Sequence, residues 1–155
     1  MAKLISFMIL CCISTFIDAQ TVTKQCRGFR KLDTTEVSLS NCQKGICKFP
    51  RGKTVEVVLK FTPDREIKSL TTNVEANINN IQLPWIGVDG ASACNSIFNE
   101  NGEKVSCPLQ AGQRYVYKNR FDVLTIYPRI QTIVHWALKA GRHDLICFEV
   151  PVRIV

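Results

Sequence analysis

The sequence predicts an all-β protein, best arranged as a sandwich of two antiparallel sheets, with a small closed barrel as the competing architecture. Three observations carry this. Runs of alternating apolar and polar residues, rich in β-branched side chains, recur along the chain, and such period-two alternation marks half-buried strands. No segment beyond the first twenty residues sustains a 3.6-residue apolar period. Finally, 155 residues at 46% hydrophobic and 21% charged fit one folded domain with enough apolar surface to offset chain entropy.

The elements follow in order. Met1-Ala2-Lys3 is basic, Leu4 to Ile17 is an apolar run without charge, and Ala19 is a small residue at a plausible cleavage point. Residues 1–19 therefore read as a secretory signal peptide, too short and wrongly flanked for a membrane anchor, and residues 20–155 as the domain. Cys11 and Cys12 leave with the leader, as do Lys3 and Asp18, so six cysteines remain and the net charge stays at +7. No later stretch is apolar for the ~18 residues that a transmembrane helix needs, and the expected product is secreted and extracellular.

A short strand is expected at Glu36 to Ser40. Val55, Val57, Leu59 and Phe61 form the inward face of the next, and Thr62-Pro63-Asp64 supplies a turn. Leu70, Thr72, Val74, Ala76 and Ile78 form a second alternating face, and Tyr115 and Tyr117 mark a third strand. Ile130 to Leu138 is a fourth, ended by Ala140-Gly141-Arg142, and Ile146 to Ile154 a fifth.

An even number of cysteines in an oxidising compartment reads as three disulfides, for which 15 connectivities exist. Cys42 and Cys47 flank a short loop containing Gly45, and Cys94 and Cys107 flank a polar loop containing the turn dipeptide Asn101-Gly102. Cys26 and Cys147 are then joined by exclusion. The pattern offers no metal site: no Cys-x-x-Cys pair remains, and His135 and His143 show no ligand spacing to any cysteine.

The search for chemistry returns absences. There is no glycine-rich phosphate loop, nucleophile elbow or zincin motif. His143 and Asp144 are sequence neighbours whose side chains diverge on a strand, and His135 beside Trp136 reads as a surface histidine. No enzymatic function, metal or cofactor is expected. Basic residues cluster at Arg27, Arg30 and Lys31, at Lys44 to Lys53, and at Arg114, Lys118 and Arg120. A secreted protein seldom meets nucleic acid, so no nucleic-acid partner is expected, and the charge reads as a solvated surface or as attraction to anionic membranes and acidic ligands. None of the nine asparagines begins an N-glycan acceptor, which favours extracellular fluid over lysosomal sorting by a glycan.

One set of residues carries a resemblance. Cys107-Pro108-Leu109, Tyr115-Val116-Tyr117, Tyr127-Pro128, Val134-His135-Trp136-Ala137-Leu138 and Cys147-Phe148-Glu149-Val150-Pro151-Val152 together resemble the ML lipid-recognition domain family, and within it the secreted Niemann–Pick C type 2 carriers of arthropods. The resemblance spans essentially all of residues 20–155 and is weakest before Cys42. It implies an immunoglobulin-like sandwich of seven strands whose sheets splay at one end around an internal apolar cavity, and the same nested disulfide order. It also implies a carrier of a fatty-acid-like or semiochemical ligand, with a sterol as other cargo. The alternative it offers is an immune module presenting microbial lipid to a receptor. A monomer is expected, with a membrane surface or receptor as the further contact.

The family's portal valine and tyrosine fall on Val123 and Tyr127, and its portal phenylalanine on Leu83. The portal prolines are thinned to Pro84, followed by Trp85, Ile86 and Val88. Val57, Val74, Val134, Trp136, Phe148 and Val150 are the expected tunnel wall. Arg120 and Lys118, just before Val123, are the candidate contacts for a ligand head group.

Overall fold

The computed structural model describes residues 21–29, 36–43 and 45–155. The leader read at residues 1–19, and Arg30, Lys31 and Lys44 of the basic clusters, lie outside the described residues. Among the described residues no helix is long and apolar enough to cross a membrane.

The chain forms twelve strands among those residues: β1 (Lys24–Gln25), β2 (Val37–Leu39), β3 (Cys42–Gln43), β4 (Ile46–Phe49), β5 (Thr54–Phe61), β6 (Thr71–Ile78), β7 (Ile81–Pro84), β8 (Ile97–Asn99), β9 (Lys104–Val105), β10 (Tyr115–Asp122), β11 (Gln131–Ala140) and β12 (His143–Ile154). Seven strands make one sheet in the order β3-β4-β12-β11-β6-β7 with β1 also on β12, and five make the other in the order β2-β5-β10-β8-β9. The resemblance implies seven strands in all. The seven that reach four residues are β4, β5, β6, β7, β10, β11 and β12, and the remainder are short edge pairings of two or three residues. The pairing is antiparallel except where β12 meets β4 in parallel at Val152↔Cys47 to Ile154↔Phe49.

Alternation places the core. Val55, Val57, Leu59 and Phe61 on β5 and Tyr115, Tyr117 and Phe121 on β10 are buried from one sheet. Thr72, Val74 and Ala76 on β6, Val134, Trp136 and Leu138 on β11, and Ile146, Phe148, Val150, Val152 and Ile154 on β12 meet them from the other. These faces read from the sequence directly. The strands of two hairpins did not, although the turn of the second, Asn101-Gly102, did. Asn79 (φ 52°) and Asn80 (φ 63°) both take the left-handed conformation, giving a two-residue primed turn that folds β7 back on β6 at Ile78↔Ile81. The Cys94–Cys107 loop contains its own hairpin, β8 to β9, turned at Asn101-Gly102 with Gly102 at φ 81°.

Three disulfides close the chain as Cys26–Cys147, Cys42–Cys47 and Cys94–Cys107. The second joins directly paired residues of the β3–β4 hairpin. The first spans 121 residues and staples β12 to the segment just after β1.

Candidate functional site

At one end of the sandwich the strand ends of β4, β5, β7, β10, β11 and β12 converge with the loops after them. A column of aromatic rings enters the interior here. Tyr127 meets Trp85 at 5.0 Å between centroids, and Trp85 meets Phe121 at 5.6 Å and Phe49 at 5.8 Å. Phe121 lies 5.3 Å from Trp136, which stacks on Phe148 at 6.4 Å. Most of the pairs near the mouth are edge-to-face, the arrangement that ring quadrupoles favour. The gap expected between splayed sheets is taken up at this end by rings in contact. Apolar walls gain dispersion energy by closing on each other when nothing lies between them.

The loop after β7 is strapped down. Trp85 N donates to Val74 O at 2.8 Å, and its indole Nε1 reaches Asp122 O at 3.4 Å. The Asp89 carboxylate accepts from Val74 N at 2.8 Å and from Asn73 Nδ2 at 3.0 Å, and Thr72 Oγ1 donates to Val88 O. Across the mouth, Ile86 N donates to the Tyr127 hydroxyl at 3.1 Å, while Arg51 Nη1 donates to the carbonyls of Thr125 and Tyr127 at 3.2 Å each. Partial burial raises the Tyr127 phenol above its ordinary pKa, the bond from Ile86 acting in the opposite sense. Outside this lattice the surface is aliphatic: Ile81 and Leu83 on β7, Ile86 after it, and Ile126 are all exposed, Ile126 at 76%.

Among the described residues two buried side-chain polar atoms lack a partner, Arg51 Nε at the mouth and Trp136 Nε1 in the core. Trp136 is 1% exposed, and its Nε1–H has no hydrogen-bond partner. A buried donor without an acceptor is uncommon in native structures and calls for an explanation.

The residues expected from the sequence separate into four groups. Val57, Val74, Val134, Trp136, Phe148 and Val150 are inward and buried, as a wall requires. Tyr127 is half-buried at the mouth and Leu83 is exposed on the edge strand beside it. Val123, read as a rim residue, is instead fully buried, with its N bonded to Lys53 O and its O accepting from Gly52 N. Lys118 and Arg120 do not reach the mouth. They lie on the outer face of β10, Arg120 in an ion pair with Glu56 and Lys118 with its ammonium 5.0 Å from the Phe98 ring centroid. The strand's own parity turns them away, because Tyr115, Tyr117 and Phe121 hold the inward positions. Besides Arg51, the cations Arg129 and Arg153 stand at this end, where they border a shallow cleft of about 340 Å³ with Ile130, Gln131, Ile154 and Val155.

Trp85, Phe121 and Phe49 complete the column and were not among the expected site residues. Phe121 continues the Tyr115/Tyr117 alternation and was findable. Phe49 and Trp85 leave strand ends, and only long-range packing brings them together. His135 is half-buried rather than on open surface, with Nδ1 3.8 Å from Cys26 Sγ, a residue 109 positions away.

Two sheets, nested disulfides and an aromatic interior opening on an aliphatic rim define a β-sandwich of the kind built around an apolar interior. The comparison with known proteins makes this specific. The ML domain model matches residues 20–154. The ecdysteroid-regulated 16 kDa protein of Manduca sexta is 32% identical over 108 residues, 70% of each chain. The NPC intracellular cholesterol transporter 2 of Mus musculus is 29% identical over 120 residues, covering 77% of this chain and 75% of that one. In structure, a Niemann-Pick type C2 protein from the Japanese carpenter ant superposes with a TM-score of 0.66 at 21% identity, over 77% of this chain and 89% of that one. The chain belongs to the ML domain family and is Niemann–Pick C2-like within it.

Proposed function

We propose that this protein is a secreted, non-catalytic carrier that takes an apolar chain between its sheets at the end where the ring column opens. The observation that carries the reading is the column itself, six rings from Tyr127 to Phe148, leading inward from exposed Ile86 and Ile126. Rings and aliphatic walls that pack on each other can part for an apolar guest with little change in the solvent-exposed surface. The mouse relative is named as a cholesterol transporter, which agrees with an apolar cargo. Three disulfides agree with a secretory route.

Cargo with one polar end suits the site better than a plain hydrocarbon. The Trp136 Nε1–H offers an internal donor to a carbonyl or hydroxyl, and Arg129 and Arg153 offer external cations to a carboxylate. A fatty-acid-like molecule meets either condition, and the exposed aliphatics are the surface it would cross on leaving a membrane or a partner.

Organic extraction of the purified protein followed by mass spectrometry, with displacement of a fluorescent fatty acid as the binding assay, tests the reading. Recovery of an apolar molecule in stoichiometric amount, unmodified after incubation, is the expected result. A chain that neither yields nor binds any such molecule, or that hydrolyses it, refutes the carrier.

A further inference from the structure

On the outer face of the larger sheet, turned away from the ring column, the Cys26–Cys147 bridge covers Ala137, which is itself fully buried. The His135 imidazole lies against both sulfurs. Its Nδ1 is 3.8 Å from Cys26 Sγ, and Cys147 Sγ is 3.8 Å from Nδ1 and 3.7 Å from Nε2. Among the described residues this is the one group of three such side chains whose ligand atoms all fall within 4.8 Å of one another. Bonds of about 2.3 Å to thiolate and about 2.0 Å to imidazole place the corners of a tetrahedral site roughly 3.5–3.8 Å apart. The observed nitrogen–sulfur separations already match those edges.

We propose that, when this disulfide is reduced, Cys26, Cys147 and His135 form a site for a thiophilic divalent cation such as Zn²⁺. The step balances with a dithiol as reductant. The dithiol gives up two electrons and two protons and becomes a cyclic disulfide, and the S–S bond becomes two thiols. The cation then takes the place of both thiol protons, and the freed sulfurs move apart to the tetrahedral edge length. A fourth position stays open for water or a carboxylate. Glu149 is next on the same face of β12 and sits opposite His135 in register, and Glu75 sits opposite it on the other side. Both add negative charge around the cation.

Reduction leaves the ligands in place because other bonds hold the N-terminal segment. β1 pairs with β12 at Lys24↔Glu149 and Gln25↔Phe148, one residue from each sulfur. Upstream, the buried Thr21 Oγ1 accepts from Leu39 N at 3.0 Å. Neither contact involves the disulfide. The site also lies on the face opposite the interior, so it does not depend on the carrier reading.

The test begins with limited dithiol treatment of the purified chain under native conditions, anaerobic desalting, thiol mapping by alkylation, and titration with Co²⁺. The expected result is a single equivalent of cobalt per chain, with thiolate-to-metal charge transfer in the near ultraviolet and tetrahedral ligand-field bands in the visible. Zn²⁺ should abolish both, and the oxidised chain should show neither. His135→Ala should weaken cobalt by about tenfold or more, since even loss of an outer-shell partner costs that much. The double variant Cys42→Ala/Cys47→Ala should keep the bands, because those sulfurs are not ligands. Unchanged affinity in His135→Ala, or bands lost with Cys42 and Cys47, overturns the proposal. A chain with free thiols at Cys26 and Cys147 and no bands overturns it too, as does one that circular dichroism shows unfolded by reduction, since the strand pairing was required to hold the ligands.

Discussion

Replacing Trp136 by phenylalanine separates the packing of the indole from its unpartnered N–H. That donor is buried without an acceptor, which costs about 1–3 kcal/mol. Phenylalanine removes the cost and keeps a ring against Phe148 and Phe121. It is also roughly 40 Å³ smaller, and at about 24 cal/mol per Å³ the remaining cavity costs about 1 kcal/mol. Lost apolar transfer adds about another 1 kcal/mol at 25 cal/mol per Å². The terms offset, and the variant should unfold in urea within about 1 kcal/mol of the parent, where a core tryptophan truncated without such relief would lose about 2 kcal/mol. Binding should respond differently. A ligand with a carbonyl or hydroxyl that accepts from Nε1 loses a hydrogen bond worth about 1 kcal/mol, a five- to tenfold weaker affinity, whereas an alkane of equal length loses nothing comparable. Urea midpoints and displacement of a fluorescent acyl probe measure the two effects. Destabilisation by 2 kcal/mol or more would show that the donor is already satisfied in solution. Equal loss for ester and alkane would show that it never meets the ligand.

Three more outcomes are expected. Val123→Trp inserts a bulky ring at a site with no exposure, and overpacking should lower stability by about 1–3 kcal/mol, seen as a lower melting temperature; an unchanged melt with blocked binding would return Val123 to the rim. Burial pushes the Tyr117 phenol up to about 12 from 10.0, while its unfolded counterpart ionises near 10, so its contribution is full below pH 10 and is lost as pH rises towards 12. At about 1.4 kcal/mol per unit this is roughly 2–3 kcal/mol, and Tyr117→Phe should flatten the alkaline fall of the urea midpoint; an unaltered slope would place the cause elsewhere. Arg129→Ala should weaken fatty acids more than their methyl esters, whereas Arg120→Ala, on the outer face, should treat the two alike; the reverse order in competition assays would reinstate Arg120.

How much of this was legible in the sequence depends on the range of the contact. The inward faces of β5, β6, β11 and β12 follow from local alternation. The same parity, carried from Tyr115 and Tyr117, already turns Lys118 and Arg120 outward and Phe121 and Val123 inward. The rim position that the resemblance implies for Val123, and the head-group role beside it for Lys118 and Arg120, run against that parity. β7 was hidden because Asn79 looks like a continuation of the β6 alternation, although Asn-Asn can also make a primed turn. The convergence of Phe49 on Trp85, and of His135 on Cys26, had no local signature. Each depends on strands brought together across most of the chain, which no spacing rule reports.

The placement of β12 also bears on how the molecule is made. β12 is hydrogen-bonded to β1, β4 and β11, and every one of these precedes it in the chain. During synthesis those strands emerge from the ribosome with open edges, and the larger sheet stays unsealed until the closing segment arrives. Throughout that interval Cys26 lacks its partner, while Cys42 and Cys47 are the nearest sulfurs on offer. A premature stop between Ile146 and Ile154 would therefore do more than shorten a strand. It would leave open edges free to pair with other chains, so the product would be an aggregating chain and not a smaller working protein.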